Sequence, residues 1–420
     1  IVDASFVNSH VSNTPGDKNS RSHFFSSSSI NLGLSGYDSS LINLDLKKTN
    51  HTDYLKSYKL NSPLITSESS LNSTLSFKAS KETLSIETSL EAYEDLSKVK
   101  PSDKYEFVYP NVKVLKTFDS YETLNGNLSL DVSGYKRQFN TNTEETVLIN
   151  NLLFESNPFI KGNGFNNGYS ILLKNVNSDA KKSTSYRNSK SHKMLTTFLL
   201  ESSYPLKKEK NNFNSFLTPK ISMRYSPNPT KNISNTDRRI DINNIFSLDR
   251  IGFNNAVEGG QSLTIGNEYR RTNKKDEERF LLNLATVYRD KTNKDLPLSS
   301  TMTDKYSDIV GNVKINPNNF INFNYDFSLD NNLDTTNYNF INTSLNAKKF
   351  VTSFEFMEEN NLLGKESYIG NKTSYTLNEN NILKFSTRKN KRTNLREFYN
   401  LIYEYKNDCL VAGIEYNKDY

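Results

Sequence analysis

Several features that often identify a class of protein are scarce in this sequence of 420 residues. Tryptophan is absent, and the single cysteine, Cys409, cannot form an internal disulfide, so cysteine usage does not identify the compartment. No stretch approaches the run of about 18 apolar residues that a transmembrane helix needs. Charge of one sign is also lacking, since 53 Lys and Arg are scattered among 47 Asp and Glu. This balance argues against a dedicated nucleic-acid surface.

The composition combines few apolar residues with many aromatic ones. Hydrophobic residues make up 35% of the chain and the mean hydropathy is -0.70, which disfavours a large core buried on both sides. The 24 Tyr and 25 Phe nevertheless separate the chain from intrinsically disordered sequences, which are poor in aromatic residues. Both properties are typical of strands in which apolar residues alternate with polar ones.

Alternation with a period of two residues is the clearest local pattern. In 71–80 and 84–92 apolar and polar residues alternate on either side of a short turn, which predicts a β-hairpin. The longest alternating run is 321–330, and shorter ones occur at 42–47 and 128–133. The runs that reach about nine to eleven residues have the length that a tilted strand needs to cross a bilayer.

The connections between these runs fall into two kinds. Short ones are expected at 80–82, 316–319, 378–381 and 406–408, and long polar ones at 178–192, 227–239 and 289–305. Membrane barrels have short periplasmic turns and longer outer loops, so the sequence predicts an all-β fold, a large antiparallel transmembrane β-barrel of roughly sixteen to twenty strands. The barrel need not close within this chain. The alternative is a secreted antiparallel sheet with one solvated face.

In a membrane barrel the two faces of each strand meet different solvents. The apolar face meets lipid, and charged residues belong on the face that lines a wet lumen, because basic groups at mid-membrane cost about 2–4 kcal/mol each. The alternating runs place four acidic residues on the polar side. The candidate lumen-facing residues are therefore Glu87, Glu91, Asp131 and Asp326.

Candidate catalytic and metal-binding patterns are weak. Ser precedes His at 9–10, 22–23 and 191–192, but a nucleophile and its base must meet in space, so adjacency in sequence carries little weight. The four His have no zinc-site spacing, and 330–334 lacks the Gly and closing Glu of an EF-hand loop. We therefore expect no enzymatic activity, no metal site and no cofactor.

Two stretches carry more specific patterns. The first, 247–270, runs from a loop containing Asp249 and Arg250 through the pair Gly259 and Gly260 into an alternating strand. Its structural interpretation is a loop folded over a strand start, with the two charged residues pairing or facing water. The second, 399–416, predicts a hairpin with Cys409 beside its turn.

Together these stretches resemble the LptD family of outer-membrane lipopolysaccharide (LPS) assembly proteins, also called organic solvent tolerance proteins. Further anchors in the same order are Tyr-Glu-Phe-Val-Tyr-Pro at 105–110, Thr-Pro-Lys-Ile-Ser-Met-Arg-Tyr-Ser-Pro at 218–227 and Ser-Asp-Ile-Val-Gly at 307–311. The family-motif residues are Leu248, Asp249, Arg250, Ile251, Gly259, Gly260, Asp308 and Gly311.

The resemblance implies a transport function at the outer membrane of a Gram-negative bacterium. LPS would be assembled into the outer leaflet through a polar lumen and a lateral gate between the first and last strands, without a cofactor. The implied partners are LPS, outer-membrane lipid, an LptE-like lipoprotein plug and a periplasmic bridge protein. Cys409 is a candidate for a disulfide to the periplasmic domain of such proteins.

The resemblance also implies that residues 1–420 form one barrel domain, without the family's periplasmic domain and last strands. The chain begins Ile1-Val2-Asp3, with neither Met nor a signal-peptide pattern, which indicates a mature product or a fragment. Two other functions stay open on the alternation alone. One is a general outer-membrane porin or channel, and the other is a secreted β-rich adhesin.

Overall fold

The structure is a computed structural model that describes residues 1–8, 20–60, 62–98, 100–118, 125–139, 142–360 and 365–419. In the described residues it is an all-β fold with 23 strands, which confirms the predicted fold class. The first eleven strands are β1 (Val2–Val7), β2 (Arg21–Asn31), β3 (Ser39–Thr49), β4 (Ser70–Lys81), β5 (Leu84–Asp95), β6 (Tyr105–Phe118), β7 (Gly126–Phe139), β8 (Thr143–Ser156), β9 (Phe159–Ile160), β10 (Asn166–Lys181) and β11 (Ser191–Ser203). The remaining strands are β12 (Leu206–Glu209), β13 (Phe213–Ser226), β14 (Gly260–Asn273), β15 (Glu278–Arg289), β16 (Ile309–Ile315), β17 (Ile321–Leu329), β18 (Thr336–Ala347), β19 (Phe350–Asn360), β20 (Lys365–Asn378), β21 (Asn381–Asn390), β22 (Arg396–Lys406) and β23 (Val411–Asp419).

The number of strands exceeds the roughly sixteen to twenty that were expected from typical large barrels. Part of the difference comes from short strands such as β9 and β12, which have 2 and 4 residues and show no alternating run. The expected connection 178–192 is shorter than predicted, because β10 has 16 residues and ends at Lys181, and β11 begins at Ser191. Polar residues such as Asn and Ser break the alternation near strand ends, although they do not prevent the backbone from pairing.

Helices are short in the described part of the chain. They are α1 (Tyr54–Ser57), α2 (Pro101–Lys104) and a 3₁₀-helix (Leu298–Ser300). None of the helices found there has the length and apolarity required to cross a membrane.

The chain divides into two compact units. Unit 1 comprises Ile1–Ser156 and Leu172–Thr196, and unit 2 comprises Asn157–Ile171 and Thr197–Tyr420. In unit 1 each of the strands β1 to β8 pairs antiparallel with the next along the chain. In unit 2 the same holds from β12 to β23.

The core of unit 1 lies where the connection between β3 and β4 folds back over the sheet. Tyr54 and Leu55 of α1 pack against Phe25, Leu71 and Leu96 in a fully buried cluster. A connection of this length can cover one face of the neighbouring strands, which explains why Phe25 is buried while the adjacent Phe24 is exposed.

Consecutive antiparallel pairing places alternate connections at the same end of the strands. In unit 2 one end therefore carries the turns 274–277, 316–320, 348–349 and 379–380, and we call it the short-turn end. The other end carries the two longest connections, 227–259 and 290–308, and we call it the long-loop end. In unit 2 the short and the long connections predicted from the sequence thus lie at opposite ends of the strands. The one predicted at 227–239 extends to residue 259.

Candidate functional site

Strands β13 and β14 have two chemically different faces. One face carries charged and hydroxyl side chains, and we call it the polar face: Lys220, Ser222, Arg224, Ser262, Thr264, Glu268 and Arg270. The opposite face, the apolar face, exposes aliphatic and aromatic side chains: Leu217, Ile221, Met223, Tyr225 and Ile265. Because side chains alternate along a strand, this division follows directly from the period of two in the sequence.

The connection 227–259 folds back over the polar face, and we call it the docked segment. Its Ile240, Ile245 and Ile251 are buried in one hydrophobic cluster with Ala285 and Val287 of β15. Phe246 packs against the same cluster and lies directly above Gly266 of β14. The sheet face beneath the segment is therefore shielded from solvent, whereas the apolar face behind it is open.

A buried ion pair within the docked segment is hydrogen-bonded to β14. The guanidinium of Arg250 donates from Nε and Nη2 to the two carboxylate oxygens of Glu258, both at 2.6 Å. It also donates to Ser262 Oγ at 2.7 Å and to Thr264 Oγ1 at 3.0 Å. Arg250 is 1% exposed and Glu258 is 0% exposed. The sequence left open whether Arg250 forms an ion pair or faces water, and in the structure it does not face water.

Two further arginines complete this group, which we call the anchor cluster: Arg224, Arg250, Glu258 and Arg289. Arg224 donates to the backbone carbonyls of Leu248 at 2.9 Å and Glu258 at 2.5 Å. Arg289, at the end of β15, donates to the Glu258 carboxylate and to the carbonyl of Gly259. Arg224 and Arg289 thus connect β13 and β15 to the docked segment, and Arg250 connects it to β14.

The charge of Glu258 is fixed by its neighbours. Burial alone would raise the pKa of the Glu258 carboxyl, but the guanidiniums of Arg250, Arg224 and Arg289 hold that pKa well below its usual range. Glu258 therefore stays ionised at neutral pH and cannot exchange a proton as a general acid would. The arrangement suits a structural anchor.

The pair Gly259 and Gly260 allows the chain to enter β14 close to the start of the docked segment. A Cβ atom at Gly259 would lie 2.3 Å from the carbonyl oxygen of Asn228 and 2.9 Å from the amide nitrogen of Thr230. Gly260 has a φ of +87°, which other residues rarely adopt. Both glycines are therefore required by backbone geometry.

Replacing Gly259 with Ala is expected to lower the free energy of unfolding by about 1–3 kcal/mol, because backbone atoms must move to admit the methyl group. Urea unfolding of the protein in detergent or lipid measures the change. Gly162→Ala is the matched control, since a Cβ at Gly162 meets no atom within 4 Å. Equal stability of the two variants would contradict the packing described here.

A second contact holds the docked segment to strands further along unit 2. Arg239 forms a two-pronged pair with Glu359 of β19, with Nε to Oε1 at 3.1 Å and Nη2 to Oε2 at 2.6 Å. Its guanidinium lies over the ring of Tyr338 in β18, 3.7 Å from the ring centre. The docked segment therefore reaches from β13 to β19.

The connection 290–308 supports the docked segment from the side. Ile233 donates its amide hydrogen to the carbonyl of Asp295 at 2.8 Å, and the Arg238 amide donates to Ser299 Oγ at 2.8 Å. Leu296 and Met302 are fully buried in the shared hydrophobic cluster. The two long loops form one packed layer over the polar side of the sheet.

Two family-motif residues, Asp308 and Gly311, lie at the start of β16 beside this layer. Asp308 Oδ2 accepts hydrogen bonds from Ser328 Oγ and Asn337 Nδ2, both at 2.7 Å. Gly311 leaves no room for a side chain, because a Cβ there would contact the ring of Phe327. These residues fix the pairing of β16 with β17.

Asp326, one of the candidate lumen-facing residues, lies on β17 close to the docked segment. It accepts hydrogen bonds from Asn312 Nδ2 at 2.5 Å and from Asn324 Nδ2 at 2.7 Å. A cavity of about 90 Å³ between Asp326, Tyr338 and Arg239 opens beside it. That Asp326 faces a lumen stays a prediction.

The other candidate lumen-facing residues belong to unit 1. Glu87 pairs with Lys78 at 3.0 Å, and Glu91 accepts hydrogen bonds from Ser89, Tyr93 and Asn111. Glu87 and Glu91 line one polar cavity of about 280 Å³. Asp131 is exposed on β7, opposite Leu115 and Asn151 of the flanking strands. Their role in a lumen also stays a prediction.

The structure describes two of the three Ser-His dipeptides, and in each the His contacts residues distant in sequence. Residues 9–10 lie outside the described residues, and His192 contacts Asn177 at 2.8 Å. His23 bonds Ser5 Oγ at 3.1 Å and Asp3 Oδ1 at 3.2 Å from the neighbouring strand. Ser5 also bonds the phenol of Tyr54 at 2.6 Å, so this network ties β1 and β2 to α1.

Cys409 lies exposed in the turn between β22 and β23 with a free thiol. Its amide donates to Asn407 Oδ1 at 3.0 Å, which shapes the turn. A disulfide of Cys409 stays a prediction. Within the described ranges, His, Cys, Asp and Glu form no group of three or more that could hold a metal ion.

The sequence reasoning singled out Arg250 but missed its partners. Glu258 lies within the same stretch and Arg224 within the 218–227 anchor, but neither was named as a partner of Arg250. Arg289 entered only as the first residue of the expected connection 289–305. A signal existed for both arginines, since each lies at or near the end of a strand, next to a long connection. A charge in that position needs a partner from the loop.

The family model described as LptD, LPS transport system D, matches residues 19–387. No curated protein matches the chain. The matched range contains the whole anchor cluster, the docked segment and all eight family-motif residues, and it ends before Cys409.

Proposed function

The chain belongs to the LPS transport system D family, LptD, and thus to the outer-membrane proteins that assemble LPS in Gram-negative bacteria; from this premise we propose how it handles its substrate. The sugars and phosphates of LPS pass along the polar side of the strands through a wet lumen. The acyl chains leave through a lateral gate into the lipid that surrounds the apolar face. No step makes or breaks a covalent bond.

The observation that carries this proposal is the two-faced character of unit 2. On β13 and β14 charged and hydroxyl side chains share one face, and Ile221, Met223 and Ile265 are about half exposed on the other. An apolar exposed face with a polar face behind it is the arrangement that a membrane-spanning strand requires.

Aromatic pairs at both ends of the apolar face support this placement in a bilayer. At the long-loop end Tyr225 packs with Phe198, with ring centres 6.4 Å apart. At the short-turn end Tyr269 packs with Phe280, with ring centres 5.8 Å apart. Aromatic girdles at the two membrane interfaces flank the apolar band of outer-membrane barrels. Here Tyr and Phe provide them, since the chain has no Trp.

The docked segment narrows the wet lumen, because it covers part of the polar face. Its anchor cluster is buried, whereas its contact through Arg239 and Glu359 is partly exposed. We assign it the role of a fixed inner wall beside the path of the glycan. The proposed partners are an LptE-like lipoprotein inside the lumen and a periplasmic bridge protein that supplies LPS.

Depletion of the protein in its own bacterium tests the function. We expect LPS to disappear from the surface of intact cells and to remain detectable after lysis, as measured with an antibody against LPS. Re-expression of the full-length protein in the same cells should restore the surface signal. Unchanged surface LPS together with a loss of ion conductance across the outer membrane would contradict LPS assembly and favour the porin alternative.

A further inference from the structure

A cluster of two cations and one aromatic ring lies on the polar face at the short-turn end, away from the docked segment. We propose that Lys207, Phe216 and Arg270 form a binding site for a phosphorylated sugar. This inference rests on the proposed function, because LPS is the phosphorylated glycolipid that the protein would carry. It adds to that function a defined site and the chemical group that the site recognises.

The three residues are side by side across three strands. Lys207 of β12 is opposite Phe216 of β13, and Phe216 is opposite Arg270 of β14. The Lys207 ammonium lies 5.8 Å and the Arg270 guanidinium 4.7 Å from the centre of the Phe216 ring. Directly opposed residues share a face of the sheet, so all three belong to the polar face.

The donors of this cluster are only partly used. The Nε atom of Arg270 is buried and makes no hydrogen bond to another described residue. Lys207 is paired with Glu209 at 2.5 Å, but both side chains are at least half exposed. An exposed pair of this kind contributes little stability, so a phosphate can replace the carboxylate as the partner of Lys207.

The chemistry of the cluster matches a phosphate attached to a sugar. The Arg270 guanidinium and the Lys207 ammonium both lie over the Phe216 ring, and together they can bind a phosphate through charge-assisted hydrogen bonds. Phe216 is partly exposed, and the uncovered part of its ring offers an apolar surface to the C–H groups of the sugar. A free phosphate would not need the ring, and a neutral sugar would not need the cations.

Arg271, the residue after Arg270, provides a control for the proposed site. Arg271 follows Arg270 but points to the apolar face, where it lies 3.5 Å from the centre of the Phe213 ring. Tyr269 and Phe280 are on the same side. Arg271 is thus placed to contact lipid headgroups. Of the two consecutive arginines, Arg270 faces the lumen and Arg271 faces the membrane.

Photo-cross-linking in living cells tests the site with the full chain. A photoreactive amino acid replaces Thr218, which neighbours Phe216 on the polar face, and adducts are identified by LPS antibody and by mass. We expect an LPS adduct that falls about tenfold with Arg270→Gln and also falls with Lys207→Gln, because a charge-assisted contact is lost. Arg271→Gln should leave the adduct within about twofold.

Several outcomes would overturn the site. An equal loss with Arg270→Gln and Arg271→Gln would show a general effect of charge, and an adduct with phospholipid in place of LPS would identify a different ligand. A second photoreactive amino acid at Ser76, which lines the polar cavity of unit 1, distinguishes failure of the site from failure of the proposed function. LPS adducts at Ser76 but none at Thr218 would remove the site and keep LPS transport. No LPS adduct at either position would contradict both.

Discussion

Replacing Glu258 with Gln is expected to release the docked segment from the sheet. The variant keeps the shape of the side chain but leaves the guanidiniums of Arg224, Arg250 and Arg289 buried without their shared carboxylate. Removing one partner of a buried ion pair costs about 3–5 kcal/mol. Urea unfolding measures the total loss, and limited proteolysis followed by mass spectrometry should find new cleavage within 227–259.

The control for this variant is Glu87→Gln. Glu87 pairs with Lys78 where both side chains are about half exposed, so its loss should cost no more than about 1 kcal/mol. If Glu258→Gln proves as mild as Glu87→Gln and leaves 227–259 resistant to protease, the anchor cluster does not hold the segment.

The pH dependence of the same pair gives an independent readout. The folded protein lowers the pKa of Glu258, so the stabilisation is fully present above the unfolded value of about 4.3. It is lost as the pH falls from there towards the folded value. The difference in stability between wild type and Glu258→Gln should therefore be constant near neutral pH and shrink below about pH 4. A difference that grows on acidification has the wrong sign for this account.

Replacing Ile265 with Arg is expected to impair insertion into the membrane. Ile265 lies near the middle of β14 and is 52% exposed on the apolar face. A basic residue facing lipid at mid-membrane costs about 2–4 kcal/mol. The fraction of protein that inserts into lipid vesicles, and its unfolding there in urea, measure the effect.

Thr218→Arg is the matched control, because Thr218 lies on the polar face of the neighbouring strand. We expect this variant to insert like the wild type. Similar losses for both variants would mean that the two faces meet the same solvent, which the membrane placement of β13 and β14 does not allow.

The fold was predictable where one periodicity extends through a whole strand. The alternation at 321–330 predicted β17, and 71–92 predicted the hairpin of β4 and β5. The connection that carries α1 was not predicted, because its fold depends on the burial of Tyr54 and Leu55 against distant strands. The end of β10 was also not predicted, because Asn and Ser interrupt the alternation there and the connection was expected to begin at residue 178.

The candidate site was predictable only in part. The stretch 247–270 was recognised as specific, and a loop folded over a strand start is what the structure contains. The pairing of Arg250 with Glu258 depends on the path of the loop and on Arg289 from another strand, which no local pattern specifies. Long-range pairing of charges requires the tertiary fold before the partners can be named.

The most direct test of the account is an accessibility scan along β14. With Cys409 replaced by Ser the chain has no other cysteine, so single cysteines at 263–270 can each carry a spin label. We expect lipid-soluble oxygen to speed the relaxation of labels at Leu263, Ile265 and Tyr269. A water-soluble nickel complex should speed the relaxation of labels at Glu268 and Arg270. Oxygen accessibility should alternate with a period of two along 263–270. Nickel accessibility should be out of phase with it at 267–270 and low at Thr264 and Gly266, which the docked segment covers. Equal access of the nickel complex to every position would contradict a strand with one face in lipid and the other in a wet passage.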